Sequence, residues 1–198
     1  MTRQIAEIVT YKNENYIFSG YTNKISSEFG IEPAARLTAC YRGFKRTFNV
    51  KEDHLYLQKL GINDTNLNIA DFENYKPVLI NGVSPEFNHE KEHSGLLFHM
   101  NYTNVNQPID YTGSILIGRN EVNRGFHYHF DTHAVWKYGE VFLLKFNKGA
   151  LEKADDLSSK MEEIRLEFKK AKSDESKLED IQNQIKLVFD SKMGSDIY

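Results

Sequence analysis

The chain of 198 residues has a single cysteine, Cys40, so an internal disulfide is excluded. It also lacks any run approaching the roughly 18 consecutive apolar residues that a membrane-spanning helix needs. Its first residues, MTRQIAEIVT, do not contain the unbroken apolar core of a secretory signal peptide. These absences predict a cytoplasmic protein that does not cross a membrane.

An excess of basic residues is missing as well. The 25 lysines and arginines are outweighed by 28 aspartates and glutamates, which gives a formal net charge of -3. Nucleic acid is therefore not the expected partner, because its phosphates attract strongly basic surfaces. Tryptophan occurs once, but 11 tyrosines and 13 phenylalanines favour strands, since aromatic rings pack well on a pleated sheet.

The spacing of turn residues predicts a β-rich domain over residues 1–148. Stretches rich in β-branched and aromatic residues, such as YIFSGY and EVFLLKFN, alternate with turn-forming pieces such as KNEN and NKG. We therefore expect the α+β class, with a mainly antiparallel sandwich or curved sheet followed by helix.

Residues 149–198 are predicted to form a C-terminal helical appendage, because neither glycine nor proline occurs between Gly149 and Gly194. Apolar residues then follow at alternating spacings of four and three, as in a coiled coil: Leu157, Met161, Ile164, Phe168 and Ala171. A second, displaced stripe predicts either a helical hairpin or one long helix. The stripe either packs on the sheet of its own chain or forms a homodimer through residues 150–192.

The stretch HEKEH, residues 89–93, matches the H-E-x-x-H pattern of zinc peptidases. On a helix, His89 and His93 would face one way and ligate zinc, while Glu90 would activate the bound water. The helix would be short, however, and its middle positions are charged where apolar support is normal. No third ligand follows at a recognised spacing. We therefore expect a solvated turn or short helix without a cofactor, with a zinc site as the alternative.

A second group of histidines offers another arrangement for zinc. His127 and His129 lie on one face of a predicted strand, about 7 Å apart along it, and His133 follows a short turn. In the other interpretation these rings are half-buried among the aromatic residues of the sheet.

A local basic cluster occupies the segment from Ala34 to Val50, which contains no acidic residue and includes Arg36. Arginines beside aromatic side chains are frequent hot spots of protein interfaces. The predicted partner-binding residues are Tyr41, Arg42, Phe44, Lys45 and Arg46. The alternative is a hairpin whose charges are simply solvated. Cys40 is expected to be a buried strand residue, because no base that could activate its thiol is nearby in the sequence.

The motif LTACYRGFKRTFNVKEDHLYL, residues 37–57, resembles a family of uncharacterised bacterial proteins. In that family, T-A-C-aromatic-R-G-aromatic is followed by T-aromatic-x-I/V and then by L-Y-L. YTGSILIG, residues 111–118, resembles a second element of the same group. The resemblance implies a β-rich bacterial domain and no particular chemistry.

These features together predict a non-enzymatic module that binds another protein, of the immunity or antitoxin kind. The prediction depends on the aromatic content, the coiled-coil-like tail and the lack of a complete catalytic constellation. The alternative function is a zinc-dependent hydrolase that uses the HEKEH motif.

Overall fold

The computed structural model describes residues 4–19, 29–68, 74–88, 98–122 and 135–171. These residues confirm the β-rich α+β class, with ten strands and one α-helix near the C-terminal end of the described chain. The elements, in chain order, are β1 (Ile8–Tyr11), β2 (Glu14–Ser19), β3 (Phe44–Lys51), β4 (His54–Ile62), β5 (Glu86–Phe87), β6 (Met100–Tyr102), β7 (Gln107–Pro108), β8 (Gly113–Glu121), a 3-10 helix (Val135–Lys137), β9 (Tyr138–Asn147), β10 (Ala150–Asp156) and α1 (Ser158–Ala171).

The chain divides into two compact units rather than at residue 148. The first unit contains the described residues up to Asn13 and from 29 to Ile109. The second contains those from Glu14 to Ser19 and from Asp110 onward. The predicted β-rich domain therefore contributes to both units, and the helix belongs to the second.

In the first unit the strand order is β1-β3-β4-β6-β5, and β7 also pairs with β4. β1 runs parallel to β3, whereas the other pairs are antiparallel. β3 and β4 form a hairpin whose two turn residues, Glu52 and Asp53, both have positive φ angles. Such a turn matches the twist of its flanking strands. Residues 51–54, KEDH, therefore form a two-residue hairpin turn.

One face of the β3-β4 hairpin forms the core of this unit. Phe44 and Phe48 alternate with less buried residues along β3, as the two-residue period of a strand requires. Across the hairpin they lie opposite Ile62 and Leu57, which are fully buried. Removal of these apolar side chains from water is the main stabilising contribution of the hairpin.

In the second unit the antiparallel strand order is β2-β8-β9-β10. The α-helix and the 3-10 helix pack on this sheet. Their shared core consists of Leu116, Val135, Tyr138, Val141, Leu143, Met161 and Ile164. The part of the apolar stripe that contains Met161 and Ile164 therefore packs on the sheet of its own chain.

The helix begins later than the predicted boundary at residue 149. Lys148 and Gly149 both adopt positive φ angles and turn the chain back, so that the next seven residues form β10 against β9. The prediction of helix was wrong for β10, because a two-residue hairpin turn determines the conformation of the residues that follow it. Residues 172–198, which carry the second stripe, lie outside the described residues. The hairpin, the long helix and the homodimer stay predictions.

α1 is fixed at its start and along one side. The carboxylate of Asp156 accepts a hydrogen bond from the Ser158 amide at 2.9 Å, which satisfies a donor at the helix start. Arg165 donates from its Nη1 atom to the carbonyls of Trp136 at 3.1 Å and Tyr138 at 2.7 Å. Within the described residues, no helix is long and apolar enough to cross a membrane.

We expect Met161→Ala to lower the free energy of unfolding by about 2–5 kcal/mol, because the fully buried Met161 side chain would leave a cavity. Leu166→Ala is the matched control on the exposed side of α1 and should change stability by less than about 0.5 kcal/mol. Urea unfolding followed by circular dichroism measures both. Equal urea midpoints for the two variants would instead indicate that packing of α1 on the sheet does not stabilise the protein.

Candidate interaction surface

The first unit contains an ion pair that is removed from solvent. The Nη2 atom of Arg46 donates to one carboxylate oxygen of Glu7 at 2.7 Å, and its Nε atom donates to the other. Both side chains are fully buried. Two parallel hydrogen bonds between a guanidinium and a carboxylate form the most directional ion pair that side chains can make.

Strand pairing brings these two side chains together. β1 lies parallel to β3 with Ile8 opposite Thr47, so Glu7, one residue earlier, reaches Arg46. The guanidinium carbon of Arg46 also lies 4.9 Å from the ring centre of Phe44 and 5.3 Å from that of Phe48. Aromatic faces attract cations, so the rings stabilise the buried charge in addition to covering it.

Arg42 joins the same cluster from the turn that precedes β3. Its Nη2 atom donates to the carbonyl of Ile5 at 2.7 Å, and its Nη1 atom lies 3.7 Å from the Glu7 carboxylate. Only 13% of the Arg42 side chain is exposed. One carboxylate therefore serves two guanidinium groups.

The structure corrects the predicted partner-binding surface. Phe44 and Arg46 point into the interior, because they occupy alternate positions on the inward face of β3 and Glu7 neutralises the arginine. Lys45 lies between them and is half-buried, and Arg42 is mostly covered. Tyr41 alone of the five is well exposed, at 63%.

Residues 36–42, which we call the Tyr41 turn, form the exposed part of this region. The Cys40 amide donates to the Leu37 carbonyl at 2.9 Å, and the Gly43 amide donates to the Cys40 carbonyl at 3.1 Å. Gly43 has φ +74°, and a Cβ atom there would lie 2.5 Å from the carbonyl oxygen of Ala34. Only glycine fits at this position without movement of the backbone.

An N-terminal arm, residues 4–7, holds the Tyr41 turn from one side. The Gln4 side chain donates to the Thr38 carbonyl at 2.8 Å and accepts from the Tyr41 amide at 3.0 Å. The Ile5 amide donates to the Ala39 carbonyl at 2.8 Å. The arm therefore fixes the backbone of the turn by direct hydrogen bonds.

The side chains that the turn presents to solvent are large. Arg36 is exposed, and Leu37 and Tyr41 are 38% and 63% exposed. Arginine and tyrosine are enriched at the energetic centres of protein interfaces. Arg36 belongs to the basic cluster that the sequence indicates, but neither Arg36 nor Leu37 was among the five predicted contact residues.

Cys40 is buried, as expected, but it lies in the Tyr41 turn and not in a strand, because β3 begins only at Phe44. Its thiol donates to the Phe44 carbonyl at 3.3 Å. Burial raises the pKa of the thiol and outweighs the opposite effect of Arg42. The thiolate form that a nucleophile requires is therefore disfavoured near neutral pH.

A second polar cluster in the first unit has a structural role. Asp64 accepts hydrogen bonds from the Tyr75 hydroxyl and, at 2.9 Å, from the Asn66 amide. Burial, with the nearby Asp64 carboxylate, raises the pKa of Tyr102 to about 12 and also raises that of Tyr75. Both tyrosines remain neutral donors. Tyr75 connects the segment that precedes β5 to Asp64, just after β4, and Tyr102 connects β6 to the same segment at Val78.

The second unit carries a charged network across three strands. Tyr16 donates to Glu140 at 2.6 Å, and Arg119 contacts both Glu140 and Glu14 at 2.6 Å. The hydrogen bond from Tyr16 and the contact with Arg119 lower the pKa of Glu140, while burial raises the pKa of Tyr16. Both shifts move the pKa away from neutral pH. General acid-base catalysis is most efficient when the pKa of the catalytic group lies near the working pH.

The residues of both predicted zinc arrangements lie outside the described residues: His89, Glu90, His93, His127, His129 and His133. Among the residues that the structure describes, no group of three or more histidine, cysteine, aspartate or glutamate side chains could hold a metal ion. The zinc arrangements therefore stay predictions.

We expect Gln4→Ala to speed hydrogen exchange of the Tyr41 amide about fivefold, because loss of one hydrogen bond releases about 1 kcal/mol of local protection. Gln4→Glu is the matched control, since its carboxylate keeps an acceptor for that amide. Native-state exchange by NMR measures both. Identical exchange in the wild type and both variants would show that the arm does not hold the turn.

We expect Arg46→Lys to lower the free energy of unfolding by about 1.5–3 kcal/mol, because lysine keeps the charge but cannot make the paired hydrogen bonds. Arg36→Lys applies the same change to an exposed arginine and should alter stability by less than about 0.5 kcal/mol. Urea midpoints compare the two. Equal midpoints would contradict the burial of Arg46.

Comparison with known proteins gave no match in a scan against protein-family models, in a search of curated proteins or in a search of solved structures.

Proposed function

We propose that this chain is a non-enzymatic protein-interaction module, bacterial and cytoplasmic, of the immunity or antitoxin kind. The Tyr41 turn is its contact surface for another protein. The observation that carries the proposal is the exposure of Leu37 and Tyr41 on a turn that the N-terminal arm holds by hydrogen bonds.

The fixed backbone of the turn supports this role. Ordering a loop on binding costs free energy, and a loop that is already ordered avoids most of that cost. Gln4 and Ile5 bind three backbone groups of the turn, the carbonyls of Thr38 and Ala39 and the amide of Tyr41. The backbone that carries the exposed side chains is therefore already ordered before a partner binds.

The composition of the turn also supports binding. Tyrosine covers a large contact area and loses little conformational entropy on binding. In the same turn, Leu37 adds apolar surface and Arg36 adds a side chain that can form ion pairs and hydrogen bonds. Solvent exposure of large apolar side chains has no benefit for folding, since it forgoes the stabilisation that burial gives.

We expect Tyr41→Ala to weaken binding of the partner about 30-fold or more, the loss that defines a hot spot of about 2 kcal/mol. The partner would be identified by p-benzoylphenylalanine crosslinking at position 41 in cells of the source organism, with position 79 as the control. Leu79 is 59% exposed and lies in the same unit but outside the turn. Affinities would then be measured with the purified partner.

Leu79→Ala should leave that affinity unchanged. A partner that crosslinks equally from positions 41 and 79, or that binds Tyr41→Ala as tightly as the wild type, would contradict the proposed contact surface.

The zinc-dependent hydrolase stays the alternative function. It requires zinc held by His89 and His93, with Glu90 to activate the bound water; His127, His129 and His133 are a separate predicted zinc arrangement. We expect untagged protein to contain far less than one zinc per chain in elemental analysis. Stoichiometric zinc that is lost in both His89→Ala and His93→Ala would favour the hydrolase over the interaction module.

A further inference from the structure

We propose that Asn81 is a modification site, which loses its side-chain amide spontaneously by deamidation. The nucleophile is the backbone nitrogen of Gly82, and the only co-reactant is water. The modification releases the turn that carries Asn81 from a neighbouring loop of the first unit. The proposal goes beyond the proposed function and does not depend on it, because it uses none of the residues of the Tyr41 turn.

Residues 80–83, which we call the Asn81 turn, form a two-residue hairpin turn. The Ile80 amide donates to the Val83 carbonyl at 3.1 Å, and the Val83 amide donates to the Ile80 carbonyl at 2.9 Å. Between them, Asn81 and Gly82 have φ angles of +49° and +77°. Asparagine followed by glycine is a preferred pair for such a turn, since both positions need a positive φ angle.

The same pair of residues places a nucleophile beside the carbon of an amide. In deamidation, a bond forms between the Gly82 nitrogen and Cγ of Asn81, and the bond between Cγ and Nδ2 breaks. Ammonia leaves with the proton of the Gly82 amide. Water then opens the resulting cyclic imide at either carbonyl, which gives aspartate or isoaspartate. No oxidant or reductant takes part, and asparagine is among the thermolabile residues.

Both reacting groups are accessible. Asn81 and Gly82 are exposed. Gly82 has no side chain to shield its nitrogen, and a Cβ atom at this position would have no neighbour within 4 Å. The Gly82 amide donates no hydrogen bond to any residue that the structure describes. Within that part of the chain, no acceptor therefore competes for this nitrogen.

The residue that follows distinguishes Asn81 from the other asparagines. Asn81 is the one asparagine of the sequence that precedes a glycine. Every other asparagine precedes a residue whose side chain hinders the approach of the backbone nitrogen to Cγ. Asn120 is the closest comparison, because it is also exposed and has a φ angle of +60°, but it precedes Glu121. Asn120 therefore serves as a control within the same molecule.

The nitrogen that leaves is the atom that fixes the Asn81 turn. Nδ2 donates to the carbonyls of Val105 at 2.8 Å and Asn106 at 3.2 Å. A carboxylate at position 81 has no proton to donate, and its charge repels the two carbonyl oxygens. Deamidation therefore removes both hydrogen bonds. Because the same bonds restrain the Asn81 side chain, the attack occurs during brief local openings of this contact.

The test follows the folded full-length protein during prolonged incubation at mildly alkaline pH. Peptide mapping by mass spectrometry locates the mass increase that results when a carboxyl replaces an amide, and it separates the aspartate and isoaspartate products. We expect Asn81 to convert severalfold faster than Asn120. Gly82→Ala should slow conversion of Asn81 severalfold, because the added methyl group shields the nitrogen. Circular dichroism verifies that this variant is folded, since its φ angle is unfavourable for alanine.

Asn81→Asp reproduces one product of the reaction. It should speed hydrogen exchange of the Val83 amide about tenfold, because the two hydrogen bonds that hold the turn are lost. Asn120→Asp makes the same chemical change in the second unit and should leave exchange of the Val83 amide unchanged.

The proposed modification site is overturned if Asn81 stays intact in the folded protein but converts in protein unfolded by urea, because the turn then protects the side chain. Equal conversion of Asn81 and Asn120 in the folded protein would overturn it as well. Wild-type exchange of the Val83 amide in Asn81→Asp would contradict the release of the turn. None of these results affects the proposed contact surface, which is tested by the dependence of partner binding on Tyr41.

Discussion

The ion pair between Glu7 and Arg46 is the constraint on which the candidate surface depends. Both side chains are fully buried, and an unpaired charge at such a place costs several kcal/mol. Conformations that separate the pair are therefore strongly disfavoured. Because Glu7 directly precedes β1 and Arg46 lies on β3, the pair also favours the parallel register in which Ile8 lies opposite Thr47.

The exposed turn follows from this buried arrangement. Glu7 also attracts Arg42, which in turn binds the carbonyl of Ile5 and holds the N-terminal arm close to the chain before β3. The arm then places Gln4 where its amide reaches both Thr38 and Tyr41. The buried Glu7 carboxylate, which no partner can reach, therefore determines the conformation of the turn that we propose to contact the partner.

The sequence predicts the local features of this protein better than its distant contacts. The β3-β4 hairpin and the apolar stripe of α1 depend on neighbouring residues, so their patterns are visible in a single sequence. The burial of Arg46 depends on a glutamate 39 positions earlier and on parallel pairing, which no local pattern reveals. The sequence alone therefore indicates a surface hot spot at Arg46, whereas the structure shows a buried ion pair with Glu7.

A double-mutant cycle between Glu7→Leu and Arg46→Met tests the central claim most directly. Glu7→Leu leaves Arg46 buried without its carboxylate and should cost about 3–5 kcal/mol, whereas Arg46→Met leaves Glu7 with Arg42 alone and should cost less. The double variant replaces the Glu7–Arg46 pair by apolar groups and should recover part of the summed loss. The account predicts a coupling energy of at least about 2 kcal/mol in urea unfolding. Additive losses, with a coupling energy below about 0.5 kcal/mol, would contradict it.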